Sequence, residues 1–263
     1  MSGLRYAVHA YAWTNSWSNE TLDIIDRAKG LGFDLVEVPL MEIEKVDAAA
    51  IKARAESVGI GLCTSTACAE ATDPTGEEAS VRAAGLDYLK QCIKATADMG
   101  GTVFTGVTYS AIGRKITGRP DESYWDRAAT VMKEAAQYAQ DHGVTLERID
   151  EPNVKVHLDA YHMNIEECDF YAPTKKAVPH LCHFHLSESH RGTPGTGVVD
   201  WEGIYRALGE TNYQGIVGLE SFESVSPAMA AATCMWRSLA ESSDQLLGDG
   251  LSYLKSLEPK YYR

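Results

Sequence analysis

Two short apolar segments of the chain end in side chains that can hold a metal ion or move a proton. Residues 154–158 are followed directly by Asp159, and His162 comes three positions later. Residues 181–186 alternate apolar side chains with histidines, the second of which is His185. A carboxylate and an imidazole at the ends of two neighbouring strands are the beginning of an open metal site.

Three glutamates, Glu37, Glu147 and Glu220, stand at the ends of other apolar segments. The carboxyl ends of parallel strands lie at one edge of a sheet, so these side chains are expected near the first two. Carboxylates with one imidazole favour a hard divalent ion, Mn²⁺ or Mg²⁺, with Co²⁺ as an alternative. A carboxylate in such a site can also take or return a proton. His183 shares a strand face with His185 and is interpreted as structural.

Strand patterns alternate with helical patterns along most of the chain. Strands are predicted at 4–8, 33–38, 60–64, 102–106, 144–147, 153–158, 181–186 and 215–220. Helices are predicted at 20–29, 47–58, 77–99, 120–142, 199–209 and 227–247, with Gly30 ending the first. About eight strands separated by helices predict a parallel α/β sheet closed into a (β/α)8 TIM barrel, one domain over residues 1–263.

The crossover after the fifth predicted strand is too short for this pattern. Only residues 148–152 separate the strands at 144–147 and 153–158. A parallel crossover takes a dozen or more residues, because the chain must return along the whole barrel. Either the protein lacks its fifth crossover helix, or a segment is absent from this sequence.

Composition excludes several classes of function. The formal net charge of −13 argues against nucleic-acid and anionic-membrane surfaces, which need clustered Lys and Arg. The sequence shows neither an apolar run of membrane-spanning length nor the pattern of a signal peptide. The six cysteines have no zinc-ribbon spacing, so free thiols and a cytoplasmic location are expected.

Three motifs together resemble one family of enzymes: LDAYHMNIEE at 158–167, HFHLSESHRGTPGTG at 183–197 and GLESF at 218–222. They are similar to motifs of the D-tagatose 3-epimerase and D-psicose (allulose) 3-epimerase family, within the xylose-isomerase-like barrel superfamily. The resemblance covers nearly the whole chain. It implies metal-dependent epimerisation of a free ketose at C3, in a homodimer or homotetramer.

The resemblance also implies roles for individual residues. The Mn²⁺ ligands of the family correspond here to Glu147, Asp159, His185 and Glu220. His162 and Arg191 match residues that bind oxygens of the sugar. The family continues its fifth strand into a further motif and a helix that have no counterpart after Glu147. Either Glu147 is the first ligand, or that ligand belongs to the absent segment.

Epimerisation at C3 removes a carbon-bound proton beside a carbonyl group and passes through a cis-enediolate, which positive charge stabilises. By resemblance, Glu147 and Glu220 lie on opposite faces of the sugar, where one takes the proton and the other returns it. Glu37 and Trp13 are predicted on the substrate side of the site. A hydrogen-bonding role is expected for Glu37 and an apolar wall for Trp13.

The sequence leaves three alternative functions open. An aldose–ketose isomerase would use the same residues to move a proton between C1 and C2. A metal-dependent endonuclease of the same superfamily would need more histidine ligands and a basic face. If the deletion after Glu147 is real, the third alternative is a sugar-binding barrel with impaired catalysis.

Overall fold

The computed structural model describes residues 3–115, 118, 121–147, 154–223, 235 and 237–262. Parallel strands in these residues pair in chain order, and the last strand pairs with the first. The strands are β1 Arg5–His9, β2 Leu35–Pro39, β3 Gly61–Cys68, β4 Val103–Ala111, β5 Thr145–Glu147, β6 Val154–Asp159, β7 Leu181–His185 and β8 Ile216–Leu219. The closed parallel barrel confirms the predicted TIM-barrel fold.

Helices lie between most of the strands and after the last one. Within the described residues they are α1 Asp23–Leu31, α2 Ala48–Val58, α3 Ala79–Asp98, α4 Glu122–Asp141, α5 Ala160–Glu166, α6 Tyr171–Ala177, α7 Trp201–Glu210 and α8 Ser243–Tyr261. No described helix combines the length and the apolar character that crossing a membrane requires. The short helices α5 and α6 were not predicted, because neither is long enough to show a clear helical period.

Two predicted helix boundaries were wrong. Gly30 lies inside α1, and the helix ends at Leu31, before Gly32 with its left-handed φ of 90°. The last helix does not end near residue 247. It begins at Ser243, after Ser242 accepts a hydrogen bond from the backbone N–H of Gln245. This N-cap lies within the segment predicted as helical, and residues 227–234 of that segment lie outside the described residues.

The barrel closes through β5 although its crossover is short. Leu146 pairs with Val154, and Glu147 pairs with Lys155. The connecting residues 148–153 lie outside the described residues. An extended chain of that length spans at most ~20 Å, whereas a strand as short as β5 is only ~10 Å long. A parallel return is therefore geometrically possible without a crossover helix.

The inside of the barrel is divided into an apolar half and a polar half. One buried cluster contains Ala7, Leu35, Cys63, Val103 and Ile216, while their sequence neighbours pack into the larger cluster that includes the helices. Strand alternation therefore places the smaller cluster inside the barrel. Two positions further along four of the strands stand the buried polar residues His9, Glu37, Ser65 and Thr105. The apolar layer closes the amino end, and polar groups collect at the carboxyl end.

Gly106 allows β3 and β4 to approach each other closely. Its φ of 116° is a conformation that residues with a side chain rarely adopt. A Cβ built at this position would lie 1.8 Å from the carbonyl oxygen of Thr66 on β3. Only glycine fits there, because the obstacle is backbone and cannot rotate away.

We expect Gly106→Ala to lower the free energy of unfolding by about 3–5 kcal/mol, the sum of backbone strain and overpacking. Gly113→Ala is the matched control, since Gly113 has a φ of 71° but a Cβ built there would meet nothing within 4 Å. Backbone strain alone should cost the control about 1–2 kcal/mol. Urea unfolding followed by circular dichroism measures both values, and equal values would contradict this account.

Candidate functional site

Glu37 forms the floor of the polar half of the barrel. Its side chain is completely buried, and Nε2 of His183 and Nε2 of His185 each lie 2.9 Å from its Oε2. Nε2 of His185 donates to Glu37, and Nδ1 on the other side of the same ring therefore faces the barrel mouth. Glu37 is thus placed beneath the mouth, against two imidazoles.

Three side chains from adjacent strands converge above this floor. Asp159 ends β6, His185 ends β7, and Glu220 directly follows β8. Nδ1 of His185 lies 3.8 Å from Oδ2 of Asp159 and 3.4 Å from Oε2 of Glu220. One donor atom from each of the three residues lies within 4.8 Å of the others. The structure therefore brings together three of the four predicted metal ligands.

Arg191 reaches into the same group from the connection after β7. Its Nη1 lies 3.0 Å from Oδ2 of Asp159 and also donates to Oε2 of Glu220. Its guanidinium group packs over the ring of Tyr161, 4.1 Å from the ring centre. His162, exposed in the first turn of α5, accepts from Nη2 of Arg191 at 3.5 Å. Arg191 thus contacts both carboxylates directly, and His162 contacts Arg191.

The two carboxylates at the mouth are held in the ionised form. Burial alone would raise the pKa of Asp159, but the charges of Arg191 and His185 bring that pKa well below its usual value. Burial opposes ionisation of Glu220 in the same way, and Arg191 and His185 lower its pKa to about 2. Both groups are therefore available at neutral pH as metal ligands or as bases.

The two histidines on β7 differ in charge. Burial lowers the pKa of His183 to about 4, which keeps that ring neutral at physiological pH. Burial acts in the same direction on His185, but Glu37 and Glu220 outweigh it and raise the pKa of His185 well above its usual value. A metal ion would have to replace the proton on Nδ1 of His185, so binding is coupled to proton release.

The donor set fits a hard divalent cation. Two carboxylates and one imidazole nitrogen are ligands that such ions accept, and the imidazole is already oriented by a hydrogen bond from its other nitrogen. Two further groups within the described residues also bring possible donor atoms together: His157 with His183 and His185, and Glu37 with Cys63 and His183. In both, Nε2 of the β7 histidines already faces Glu37, so the group at the mouth is the better candidate.

The remaining predicted site residues are placed differently. Glu147 ends β5, but its side chain lies outside the described part of the structure. Trp13 donates from Nε1 to Oδ1 of Asp244 at 2.7 Å, and Arg27 lies over its indole ring. These contacts tie Trp13 to the start of α8 and to α1. Its contact with a substrate stays a prediction.

Sequence reasoning missed three polar residues around the floor. Nε2 of His9 lies 3.1 Å from Oγ of Ser65, and the ring of His157 lies 4.2 Å from that of His185. The signal was present for His157, which stands two positions before Asp159 and so shares its strand face. His9 and Ser65 carry no such signal, because β1 and β3 contain no predicted site residue whose face they could share.

Comparison with known proteins identifies the family to which this fold belongs. The family model described as "Xylose isomerase-like TIM barrel" matches residues 25–147 and 145–257. The two matched stretches together cover most of the chain. They meet within β5, where the crossover is unusually short.

Curated relatives match over nearly their full length. The chain is 31% identical to a ketose 3-epimerase of Arthrobacter globiformis, covering 97% of this chain and 99% of the relative. It is also 31% identical to an L-ribulose 3-epimerase of Methylomonas sp., covering 96% and 97% of the two chains. The first alignment extends over 288 residues, more than the 263 of this chain, so that relative has residues without a counterpart here.

A solved structure shows the same fold. The D-allulose 3-epimerase of Methylomonas sp. in complex with D-allulose superimposes with a TM-score of 0.90 at 30% identity, covering 97% of this chain and 98% of the other. The family resemblance predicted from the three sequence motifs is therefore confirmed. This chain belongs to the xylose isomerase-like TIM-barrel family, and its full-length relatives there are ketose 3-epimerases, enzymes of the isomerase class.

Proposed function

We propose that this protein is a divalent-metal-dependent epimerase that inverts C3 of a free ketose. The observation that carries this proposal is the convergence of Asp159, His185 and Glu220 beside Arg191 at the mouth of the barrel. The names of the two relatives described above and the sugar bound to the solved neighbour support the substrate class. Which ketose is turned over depends on the shape of the pocket rather than on these four residues.

The three described donors would hold the ion, and Glu147 is the proposed fourth ligand. Mn²⁺ is the proposed cofactor, with Mg²⁺ or Co²⁺ as substitutes that suit the same donors. When bound, the ion supplies Lewis-acid stabilisation of negative charge developing on the ketose oxygens.

Glu220 is the proposed base because its carboxylate is ionised and lies at the barrel mouth. It takes the proton from C3, and a second carboxylate on the other face of the sugar returns one to the opposite side. We assign that second role to Glu147. Arg191 and His162 hold substrate oxygens, and the guanidinium group of Arg191 neutralises charge on the enediolate. In the structure the same guanidinium lies on Asp159 and Glu220, so substrate would compete for it.

We also propose the domain organisation, the location and the assembly of the protein. The barrel uses strands from Arg5 to Leu219, which supports one domain over residues 1–263. Buried free thiols such as Cys63 and Cys92 are compatible with a reducing, cytoplasmic environment. A homodimer or homotetramer is proposed from the resemblance alone.

A second candidate function rests on the short crossover. The family match divides within β5, and the first relative carries residues that this chain lacks. If those residues include a metal ligand and a proton-transfer group, this chain is a sugar-binding barrel with impaired catalysis. An aldose–ketose isomerase is the remaining variant, and the position at which hydrogen exchanges with solvent distinguishes it.

The first test follows deuterium into the sugar. With Mn²⁺ in D₂O, we expect the protein to convert D-allulose, D-fructose or L-ribulose to the C3 epimer and to place deuterium at C3. Glu220→Gln should lower kcat by about 10²- to 10⁴-fold, since an amide cannot take the proton. NMR spectroscopy reports both the epimer and the labelled carbon.

The pattern of labelling decides between the candidates. Deuterium at C1 or C2, together with formation of an aldose, would show that the protein is an aldose–ketose isomerase and not a C3 epimerase. Sugar binding without any exchange would favour the impaired barrel.

Metal binding tests the donor set independently of turnover. We expect Asp159→Asn to weaken Mn²⁺ binding, measured by isothermal titration calorimetry, by at least about 100-fold, the upper end of what loss of an outer-shell partner costs. Glu210→Gln is the control, because Glu210 is an exposed glutamate on α7 that bonds Lys175. Equal Mn²⁺ affinities of the two variants would show that Asp159 is not a metal ligand.

The short crossover can be tested by insertion. We expect that replacing residues 148–153 by the longer segment from the Arthrobacter globiformis relative tightens Mn²⁺ binding and raises kcat/KM, because it restores the missing family motif. An insertion of equal length made of Gly and Ser controls for chain length. If both insertions behave like the original chain, the segment contributes nothing to the site, and Glu147 is sufficient.

A further inference from the structure

The connection between β7 and α7 is compact although it contains no regular secondary structure. Residues 186–200 are assigned to neither helix nor strand, yet nearly half of them are buried. Glu188, in its first part, is completely buried. No role proposed above uses this carboxylate.

Four N–H groups surround the carboxylate of Glu188. Its Oε1 accepts from the backbone of Ser189 at 2.8 Å and of Val199 at 3.2 Å. Its Oε2 accepts from the backbone of Gly195 at 2.9 Å and from the indole of Trp201 at 3.0 Å. The donors come from both ends of the connection, so a single side chain closes it into a loop.

The ionisation of Glu188 and the packing around it both support its closure of the loop. Burial would raise the pKa of Glu188, but the N–H groups of Ser189, Trp201 and the others keep that pKa below its usual value. The group therefore stays an acceptor at neutral pH. A Cβ built on Gly197 would lie 2.3 Å from Oε1 of Glu188, so the loop wraps directly against the carboxylate.

The same loop fixes the backbone of Arg191. The N–H of Arg191 donates to the carbonyl oxygen of Glu188 at 2.8 Å, and its own carbonyl accepts from Phe222 at 2.8 Å. Its φ of 62° lies in the left-handed region, which a residue with a long side chain adopts only when its surroundings enforce it. This conformation directs the guanidinium group to Asp159 and Glu220.

We propose that Glu188 is a positioning residue whose carboxylate folds the β7–α7 connection and thereby places Arg191 over the site. It acts on the reaction through Arg191 alone. This inference rests on the proposed function, in which Arg191 holds oxygens of the sugar.

The first variant is Glu188→Gln. It keeps the size of the side chain but replaces one accepting oxygen by an NH₂ group, which cannot accept a hydrogen bond from the surrounding N–H groups. We expect kcat/KM to fall by about 10- to 100-fold, mainly through a higher KM, because a small displacement of a substrate-holding group has effects of that size. The Mn²⁺ affinity should change less than kcat/KM, since the ligands stand on or directly after the strands and keep their places when the loop moves. Glu202→Gln, on the exposed face of α7, is the matched control and should leave all values unchanged.

A double-mutant cycle separates positioning from general destabilisation. With Arg191→Lys as the background, Glu188→Gln should have little further effect on kcat/KM, because its only route to the reaction is already lost. Gly197→Ala, which displaces the carboxylate without changing charge, should reproduce the higher KM. Additive effects in the cycle, or an unchanged KM in both loop variants, would overturn the proposal.

Amide hydrogen exchange of residues 189–199 gives a readout that does not need activity. We expect faster exchange at Gly195 and Val199 in Glu188→Gln than in Glu202→Gln. Unchanged exchange would overturn the role of Glu188 even in an active enzyme. Faster exchange in a protein without epimerase activity would support the loop closure and reject the proposed function instead.

Discussion

The ion pairs of Arg191 with Asp159 and Glu220 are the interaction on which the mouth of the barrel depends. Together with Glu37 below them, the two carboxylates place three negative charges inside a closed barrel. Removing one partner of a buried ion pair typically costs about 3–5 kcal/mol. The guanidinium group and the protonated ring of His185 supply two positive charges, so this cluster keeps an excess of negative charge. That excess favours a bound cation.

Two features of the fold, strand alternation and the loop after β7, position these charged side chains. Strand alternation puts an apolar layer at the amino end of the barrel and Glu37 with His185 directly above it. The loop closed by Glu188 then places the side chain of Arg191 over the barrel mouth. Asp159, His185 and Glu220 stand on or directly after strands, whereas Arg191 comes from the loop after β7, so two different parts of the fold bring these side chains together.

The fifth strand is short, at three residues, and coincides with the point where the match to the family divides. The rest of the barrel does not need a crossover helix at this point in order to close, because each strand is held by both neighbours. The barrel therefore closes within the described residues although β5 and the connection after it are short.

The sequence by itself determined the period of strands and helices, hence the barrel, and it identified Asp159, His185 and Glu220 at strand ends. It also revealed the short crossover, because chain length limits what a connection can span. It misplaced the last helix, since apolar spacing continues across the true N-cap at Ser242. Only the tertiary structure showed the pairing of Glu37 with two imidazoles and the four donors around Glu188. Those contacts join residues whose meeting depends on barrel closure and loop folding, which local sequence patterns do not encode.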